Sequence, residues 1–386
     1  MDVDAVTPLL GGISPAQFMR RYWQKKPLLV RQAIAGFKPL RSRSELFALA
    51  GQDAVQSRLV VQHPERAPGW TLRHGPFSRR ALPPVRQSHW TLLLQGVDLH
   101  DDAVHALMNR FRFVPDARLD DLMISYATDG GGVGPHFDSY DVFLLQAHGQ
   151  RRWRIGRQKD LSLQPDVPLK ILTHFVPEHE YVLQPGDMLY LPPGYAHDGI
   201  AVGECMTYSI GFRIPNRAEL ARELLHSLAE EAESRVGLSL YKDPNQPAVT
   251  QPAQVPPAMV EFAQAALQAA LKEPMALARG LGEYLTEPKP NVWFDMPEAS
   301  PDTPDALLGR GLRLDRRSKM MWDEQHIYIN GESFKASGRD ARVLRALADA
   351  RSLSAHEGRG LSSGARALLL DWVDAGWLHL ESDSKL

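Results

Sequence analysis

Cysteine is nearly absent from this chain of 386 residues, which contains only Cys205. A single cysteine cannot form an intrachain disulfide. Its isolation also excludes a CxxC redox motif, a cysteine-rich zinc site and a cysteine-ligated iron–sulfur cluster. A strong excess of one charge is missing too, because 44 Lys and Arg against 46 Asp and Glu leave a formal charge of −2. This balance argues against a globally basic nucleic-acid binder.

Long apolar runs are also missing. No run approaches about 18 apolar residues, the length that a transmembrane helix requires. The start, MDVDAVTPLL, lacks the basic and apolar regions of a signal peptide. The apolar fraction of 44% still provides for a sizeable core. We therefore expect a globular, cytoplasmic protein of about two to three domains.

The first part of the chain mixes helix and strand signals. Ser14 can cap a helix in which Pro15 takes the first position, where its missing N–H costs nothing. Apolar periodicity predicts further helices over 44–50 and 101–112, and LLVRQAI predicts a strand over 28–34. From Leu122 to Phe212, short β-rich segments separated by Gly and Pro indicate a β-sandwich or barrel.

The part after Pro215 is helical and then mixed. Asn216 can cap a first helix, a Pro-rich loop covers 242–258, and one long amphipathic stretch covers 259–285. Its apolar face must be buried somewhere, either within the chain or against a partner. The tail combines a strand-like IYIN, two helices and a terminal WLHL, which makes a winged-helix-like module plausible. From 301 to 386 it carries 13 Lys or Arg and 13 Asp or Glu, so we expect no DNA binding.

The most informative segment is GGGVGPHFDSYD, which ends at Asp141. His136 and Asp138 are two positions apart, so on a strand both side chains would point to the same face. Taken alone, such a pair is most often a hydrogen-bonded loop pair rather than a metal site.

A second segment, QPGDMLYLPPGYAHDG, has a turn, a strand, a second turn and then His197 on the next strand. If the two segments are neighbours in a barrel, His136, Asp138 and His197 form a set of two histidines and one carboxylate. This set is diagnostic of non-haem Fe(II) oxygenases, because it leaves coordination positions open for a co-substrate and O2.

The third element is Arg151, in GQRRWRIG. Strand alternation places Arg151 and Trp153 on one face and Arg152 and Arg154 on the other. A keto-diacid that chelates iron needs a fixed cation for its far carboxylate, and the arginine fork binds a carboxylate bidentately. The alternative is that these arginines lie on a solvated face, which we accept for Arg152 and Arg154. Lys159 and Lys170 are weaker candidates because they lie in loop-like sequence.

The three segments together with ISPAQFMRRYWQKKPLLVR near the N-terminus resemble the JmjC-type cupin oxygenases, and more closely the ribosomal oxygenases. The resemblance implies an α+β chain. Its parts would be a double-stranded β-helix (cupin, or jelly-roll) catalytic domain over 1–213, a helical dimerisation region over 214–300 and a winged-helix-like domain over 301–386. It further implies a likeness to the bacterial arginine hydroxylases of large-subunit ribosomal proteins, and therefore a homodimer that acts on a ribosomal protein.

The resemblance also implies cofactors and site residues. Fe(II) would be bound by His136, Asp138 and His197, and 2-oxoglutarate by Arg151 with help from Ser125, Thr207 and Ser209. With O2, the family converts 2-oxoglutarate to succinate and CO2 while it hydroxylates an unactivated C–H bond. An arginine substrate would need an acidic partner at the barrel mouth. Asp129 and Asp141 are candidates for that partner, and Tyr140 could stack on a guanidinium.

Two alternatives stay open at this point. The same chemistry could act on a histidine or a lysine of another protein. The chain could instead be a non-catalytic, metal-binding cupin module. Asp138 and an internal arginine favour keto-acid use, since cupin sites with three histidines serve many other chemistries.

Overall fold

The computed structural model describes residues 2–65, 69–272, 274–297 and 310–381. The chain divides into two compact units, one ending at Ile214 and the other beginning at Pro215. The finer division of the second unit into a helical region and a tail domain stays a prediction, and its boundary at 300 and 301 lies outside the described residues. No helix among the described residues is both long and apolar enough to cross a membrane.

The early helices form where the sequence predicted them, although α3 is shorter than expected and α2 is shifted by one residue. They are α1 (Pro15–Arg21), α2 (Arg43–Leu49) and α3 (Asp102–Asn109). In α1 the Ser14 hydroxyl accepts from the Gln17 N–H while the Gln17 side chain accepts from the Ser14 N–H, which fixes the start of the helix. The predicted strand over 28–34 is reduced to β1 (Leu28–Val30), because Arg31 and Gln32 leave the sheet and bond to the Asp187 carboxylate.

The remaining strands of the first unit join β1 in one sheet, which has the predicted double-stranded β-helix (jelly-roll) fold. They are β2 (Ser57–Gln62), β3 (Trp70–His74), β4 (Trp90–Leu94), β5 (Leu119–Ala127), β6 (Asp141–Gly156), β7 (His179–Leu183), β8 (Met188–Leu191) and β9 (Ala196–Phe212). The order is β1-β8-β6-β9-β5-β4-β2-β3, and β7 pairs with β6.

Two long strands, β6 and β9, form the centre of this sheet. They pair antiparallel from Asp141 opposite Phe212 to Gly156 opposite Ala196, with a register shift on either side of His148. The first half of β6 also pairs with β8, and the second half with β7. The register shift at His148 is a β-bulge, and a bulge changes which side chains of a strand face the interior. Val142 and Leu144 line the interior before it, and Arg151 and Trp153 line it after.

An aromatic cluster packs the first unit behind the sheet. Phe18 lies against Tyr190, Phe143 and Phe113, with ring centroids 4.9, 5.4 and 5.8 Å away. Phe18, Phe143 and Tyr190 are almost completely buried. Burying a large aromatic side chain contributes roughly 1.5–3 kcal/mol, so this cluster holds α1 firmly on β6 and β8.

The second unit begins with four helices: α4 (Arg217–Glu230), α5 (Ala232–Val236), α6 (Pro257–Leu271) and α7 (Pro274–Thr286). The single helical stretch expected over 259–285 is therefore wrong in one respect, because it is two helices. Pro274 cannot donate a backbone hydrogen bond within a helix and fits only its first turn, so a new helix begins there.

The tail has the predicted winged-helix organisation. Its elements are β10 (Leu312–Leu314), β11 (Met320–Trp322), β12 (His326–Ile329), β13 (Glu332–Lys335), α8 (Gly338–Ala350), β14 (Ser352–Leu353), α9 (Ala355–Gly358), α10 (Ser363–Asp374) and β15 (Leu378–Leu380). One three-stranded sheet has the order β14-β10-β15 and the other β11-β12-β13. Leu344, Leu347, Leu369 and Trp372 bury the apolar faces of α8 and α10 in a common core.

Candidate metal centre and its cavity

His136 and His197 are joined by their backbones. The N–H of each donates to the carbonyl of the other, at 3.0 and 2.8 Å, and the ring centroids are 4.3 Å apart. His197 lies on β9 as expected. The expected strand at His136 is wrong, since β6 begins only at Asp141 and His136 forms an isolated bridge instead. That bridge, rather than a continuous strand, places the two imidazoles side by side.

Asp138 completes the group. One of its carboxylate oxygens, Oδ2, lies 3.6 Å from His197 Nε2. Its backbone carbonyl accepts from the Gly194 N–H at 2.7 Å, in the turn that leads into β9. One ligand atom from each of the three side chains lies within 4.8 Å of the others, and no other such group occurs in the part of the chain that the structure describes.

The outer nitrogens of both imidazoles are already engaged. His136 Nδ1 lies 2.9 Å from the Gly134 carbonyl, and His197 Nδ1 lies 3.0 Å from the Tyr195 carbonyl. Because a carbonyl can only accept, each Nδ1 carries the proton and each Nε2 keeps a free lone pair. Such a hydrogen bond from the outer nitrogen to a carbonyl is what orients histidine ligands at metal sites.

The electrostatics keep His197 in its ligand form. Burial, together with the nearby His136, lowers the pKa of His197 to about 4, although Asp138 acts in the opposite direction. The imidazole is therefore neutral at neutral pH. Two imidazoles that present Nε2 and one carboxylate on one side of a cavity fit a ferrous ion with open positions.

The group opens into a cavity of about 510 Å³ inside the barrel. Residues from both halves of the sheet line this cavity. Eight of the predicted site residues are among them: Ser125, His136, Asp138, Tyr140, Arg151, His197, Thr207 and Ser209. The barrel thus brings the metal candidates and the arginine candidate to one space.

Arg151 is held by neutral groups. Its Nη1 donates to Ser125 Oγ at 3.0 Å and to Thr207 Oγ1 at 3.4 Å, and its Nη2 donates to the Gly199 carbonyl at 3.1 Å. The guanidinium also lies 5.1 Å from the ring centroid of Trp153. None of these contacts neutralises its charge.

The charge of Arg151 is consequently uncompensated. Only 4% of the residue is exposed, and burial lowers its pKa. Its Nε has no hydrogen-bond partner, and no carboxylate among the described residues forms an ion pair with it. A buried cation of this kind is costly unless an anion joins it. The neighbouring Arg154, by contrast, pairs with Asp198 outside the cavity.

Gly199 is a site residue that the sequence analysis missed. A Cβ at this position would lie 2.6 Å from Trp153 Cζ3 and 2.8 Å from Arg151 Nε. The absence of a side chain therefore leaves room for both residues. The signal was present in the sequence, because Gly199 follows His197 by two positions and so shares its face of the strand.

Two residues predicted to contact the substrate do not line the cavity. Asp129 is exposed, and its carboxylate accepts from the Gly203 N–H at 2.8 Å. Asp141 is completely buried and accepts from the Tyr190 hydroxyl at 2.6 Å, with Gln24 and Arg118 on its other oxygen. Asp129 thus ties the turn after β5 to β9, and Asp141 is a structural anchor behind the barrel.

The cavity has other polar residues near its mouth. Tyr140 lines it and is 40% exposed. Asp120 and Asp121 on β5 also line it. Asp121 is buried, and its carboxylate accepts from the Gln95 side chain at 2.6 Å and from the Gly96 N–H at 2.8 Å, so Asp120 is the carboxylate that the sequence analysis overlooked. Lys170 lines it as well, on a loop tied to the metal segment by a hydrogen bond from the Leu172 N–H to the Pro135 carbonyl, at 2.8 Å.

Known proteins resemble this chain over nearly its whole length. Residues 106–220 match the JmjC domain family, and residues 266–379 match the ROXA-like winged helix family. The ribosomal protein uL16 3-hydroxylase of Escherichia coli is 34% identical over 94% of this chain and 97% of its own. A probable ribosomal oxygenase of Haemophilus influenzae is 28% identical over 96% of both chains.

Solved structures give the same result. The ribosomal oxygenase YcfD of Escherichia coli, in complex with cobalt and 2-oxoglutarate, superposes with a TM-score of 0.80 at 32% identity. The match covers 98% of this chain and 99% of that one. The chain therefore belongs to the JmjC-domain ribosomal oxygenases and is a 2-oxoglutarate-dependent dioxygenase that uses Fe(II), 2-oxoglutarate and O2.

Proposed function

We propose that this enzyme hydroxylates an arginine side chain of a large-subunit ribosomal protein, with His136, Asp138 and His197 as the iron ligands and Arg151 as the anchor of 2-oxoglutarate. One observation carries the proposal. The three ligand atoms lie within 4.8 Å of one another in the wall of the cavity that also holds a buried arginine without an anionic partner.

The protein groups supply binding, orientation and exclusion of water. When bound, iron supplies the oxidising chemistry that turns 2-oxoglutarate into succinate and CO2 and inserts one oxygen atom into the substrate. His136 and His197 present Nε2 because carbonyls hold their Nδ1 protons. Arg151 attracts the far carboxylate, and Ser125 and Thr207 hold its guanidinium in place. Apolar walls at Leu144 and Trp153 keep bulk water away from the reacting groups.

Two side chains of the cavity lining suit a cationic substrate group. Asp120 provides a carboxylate, and Tyr140 provides an aromatic face. A guanidinium can form charge-assisted hydrogen bonds with a carboxylate and stack on a ring. The carboxylate of Asp120 replaces those of Asp129 and Asp141 as the proposed acidic partner.

The choice of target follows the relatives. The most informative name among them is that of a hydroxylase of ribosomal protein uL16. We infer that this enzyme acts on the corresponding large-subunit protein of its own cell, which also places it in the cytoplasm.

Intact-mass analysis of ribosomal proteins from cells with and without the gene tests this function. The expected result is one large-subunit protein heavier by one oxygen atom in cells that have the gene, with fragmentation placing that atom on an arginine. The same mass on a histidine or lysine would overturn the arginine assignment. Identical masses for all ribosomal proteins would overturn the ribosomal target.

We also propose a homodimer formed through α6. Its apolar side chains Val260, Phe262, Leu267 and Leu271 are 44, 41, 66 and 48% exposed. An apolar face of this extent on one helix is typical of a surface that another chain covers. Charged residues are nearly absent from α6, which contains only Glu261.

A further inference from the structure

A buried glutamine stands behind the arginine of the co-substrate site. Gln146 lies on β6, is completely buried and is not part of the cavity lining. Its Oε1 accepts a hydrogen bond from the Thr207 hydroxyl at 3.0 Å. Thr207 in turn accepts from Arg151 Nη1 at 3.4 Å. Gln146 is thus one hydroxyl group away from the guanidinium.

Counting protons shows what this contact does. A threonine hydroxyl has one proton to donate and lone pairs with which to accept, whereas a guanidinium can only donate. Thr207 can accept from Arg151 only when its own proton points elsewhere. The Gln146 carbonyl oxygen receives that proton and so turns the lone pair of Thr207 towards Arg151.

Ser125 shows the same arrangement on the other side. Its hydroxyl donates to the Thr207 backbone carbonyl at 3.3 Å, which leaves its oxygen free to accept from Arg151 Nη1 at 3.0 Å. Both hydroxyls therefore orient the guanidinium without bringing a negative charge to it. The positive charge stays available for a ligand.

The bulge in β6 fixes the orientation of the Gln146 amide. Gln146 Nε2 donates to the carbonyls of His148 and Gly149, at 2.8 and 3.4 Å. A flipped amide would set its oxygen against these two carbonyls. Gly149 has a φ of +59°, and a Cβ there would lie 2.0 Å from the Glu204 carbonyl oxygen. Only glycine fits this bulge, which turns the two carbonyls towards Gln146.

We propose that Gln146 is a positioning residue for 2-oxoglutarate, which acts through the Thr207 hydroxyl to hold Arg151 in place for the far carboxylate of the diacid. The proposal rests on the proposed function in one respect, namely that Arg151 binds this carboxylate. Gln146, a neutral residue, thus contributes to the preference of the site for diacids over monoacids. A carboxylate at position 146 would place a negative charge near Arg151 and weaken its attraction for the ligand.

Two keto acids separate this effect from general damage. 2-Oxoglutarate has the far carboxylate, and 2-oxopentanoate has a methyl group in its place on a chain of the same length. Both can chelate the metal in the same way. A change that acts through Arg151 should weaken binding of the first acid and leave that of the second unchanged.

The experiment is calorimetric titration of the Mn(II)-loaded full chain with both acids. For Gln146→Leu we expect about tenfold weaker 2-oxoglutarate binding, the effect of one lost hydrogen bond to a charged network, with unchanged 2-oxopentanoate binding. Gln146→Glu should weaken 2-oxoglutarate binding further. In turnover, the KM for 2-oxoglutarate should rise while kcat changes less than about twofold. Ser57→Ala is the matched control, since it removes a buried hydroxyl that bonds only the Ala50 carbonyl.

Thr207 keeps the proposal testable where a Gln146 variant does not fold. Thr207→Ser retains the hydroxyl and should bind both acids as the unaltered protein does, whereas Thr207→Val should match Gln146→Leu. The two losses should not add in the double variant, because both act through one contact. Equal weakening of both acids in Gln146→Leu, or additive losses in the double variant, would overturn the proposal. Arg151→Met is read separately: if it binds 2-oxoglutarate as strongly as the unaltered protein does, or weakens binding of both acids equally, the assignment of Arg151 itself fails.

Discussion

The side chain of Trp153 occupies the space that a side chain at residue 199 would fill. The hypothetical Cβ of Gly199 lies 2.6 Å from Trp153 Cζ3, and the Gly199 carbonyl accepts from Arg151 Nη2. One residue without a side chain thus admits the ring and binds the guanidinium beside it. Because Gly199 follows His197 by two positions, the co-substrate end and the metal end of the cavity depend on the same short stretch of β9.

Replacing Gly199 by alanine should impair the co-substrate site more than the metal site. The added Cβ displaces Trp153 and Arg151, so we expect 2-oxoglutarate binding to weaken by on the order of tenfold or more. Mn(II) affinity, measured by calorimetry, should change less than about threefold. Overpacking also costs roughly 1–3 kcal/mol of unfolding free energy. Gly364→Ala is the control, because a Cβ there meets only Ser362 Oγ at 3.9 Å. Undiminished 2-oxoglutarate affinity in Gly199→Ala would contradict this account of the site.

Removing the first histidine should weaken metal binding and abolish turnover. His136→Ala deletes one of three ligands, and we expect Mn(II) or Fe(II) affinity to fall by on the order of 100-fold, measured by calorimetry under anaerobic conditions. Succinate formation should fall to background. His148→Ala is the matched control, since His148 is exposed and contacts Gln146 only through its backbone carbonyl. Full turnover in His136→Ala would refute the ligand assignment.

Arg151 should determine how strongly the co-substrate stabilises the protein. Ligand that binds only the folded state raises the melting temperature. We expect 2-oxoglutarate with Mn(II) to raise the Tm of the unaltered chain and of Arg152→Met, whose side chain is exposed on the same strand. Arg151→Met should lose most of this shift. Without ligand, Arg151→Met should be no less stable than the unaltered chain, since it removes a buried charge that lacks an anionic partner. A retained shift in Arg151→Met would argue for another anchor.

The helix α6 should determine the oligomeric state. Leu267→Glu places a charge on its exposed apolar face, and we expect the chain to change from dimer to monomer in light scattering coupled to size exclusion. Turnover with saturating 2-oxoglutarate reports whether the monomer stays folded. Gln268→Glu, one residue further along the same helix, adds the same charge as a control. A monomeric unaltered chain at micromolar concentration would show that this face is not a dimer interface.

The sequence predicted the metal group because the pattern is local and chemically restrictive. His136 and Asp138 are two residues apart, and the Gly–Pro–His spacing places His197 on the next strand. Alternation around Arg151 was also correct locally, with Trp153 on the same face. A single alternating pattern does not hold from Val142 to Arg151, because the bulge at His148 reverses which positions face inward. A bulge of this kind depends on contacts with β9 that the local sequence does not show.

The substrate side was harder to predict for a related reason. Asp129 and Asp141 are close to the metal pair in sequence, but nearness in sequence does not decide which side of a turn faces the cavity. Asp120 lies on a different strand and reaches the cavity only through the folding of the sheet. Likewise, Pro274 is a local signal for the break between α6 and α7, whereas no local signal shows whether a second chain packs on the apolar face of α6.

The irregular pairing at His148 has one more consequence, for what the interior of the barrel presents. If β6 kept all of its residues but paired with β9 without the bulge, simple alternation would run along the whole strand. Leu144 would still face inward, but the guanidinium of Arg151 would turn towards the outside of the barrel while His136, Asp138 and His197 kept their places. Such a protein would still take up a metal ion and yet have lost its selectivity for a diacid, so the bulge is as much a part of the chemistry as the residues on either side of it.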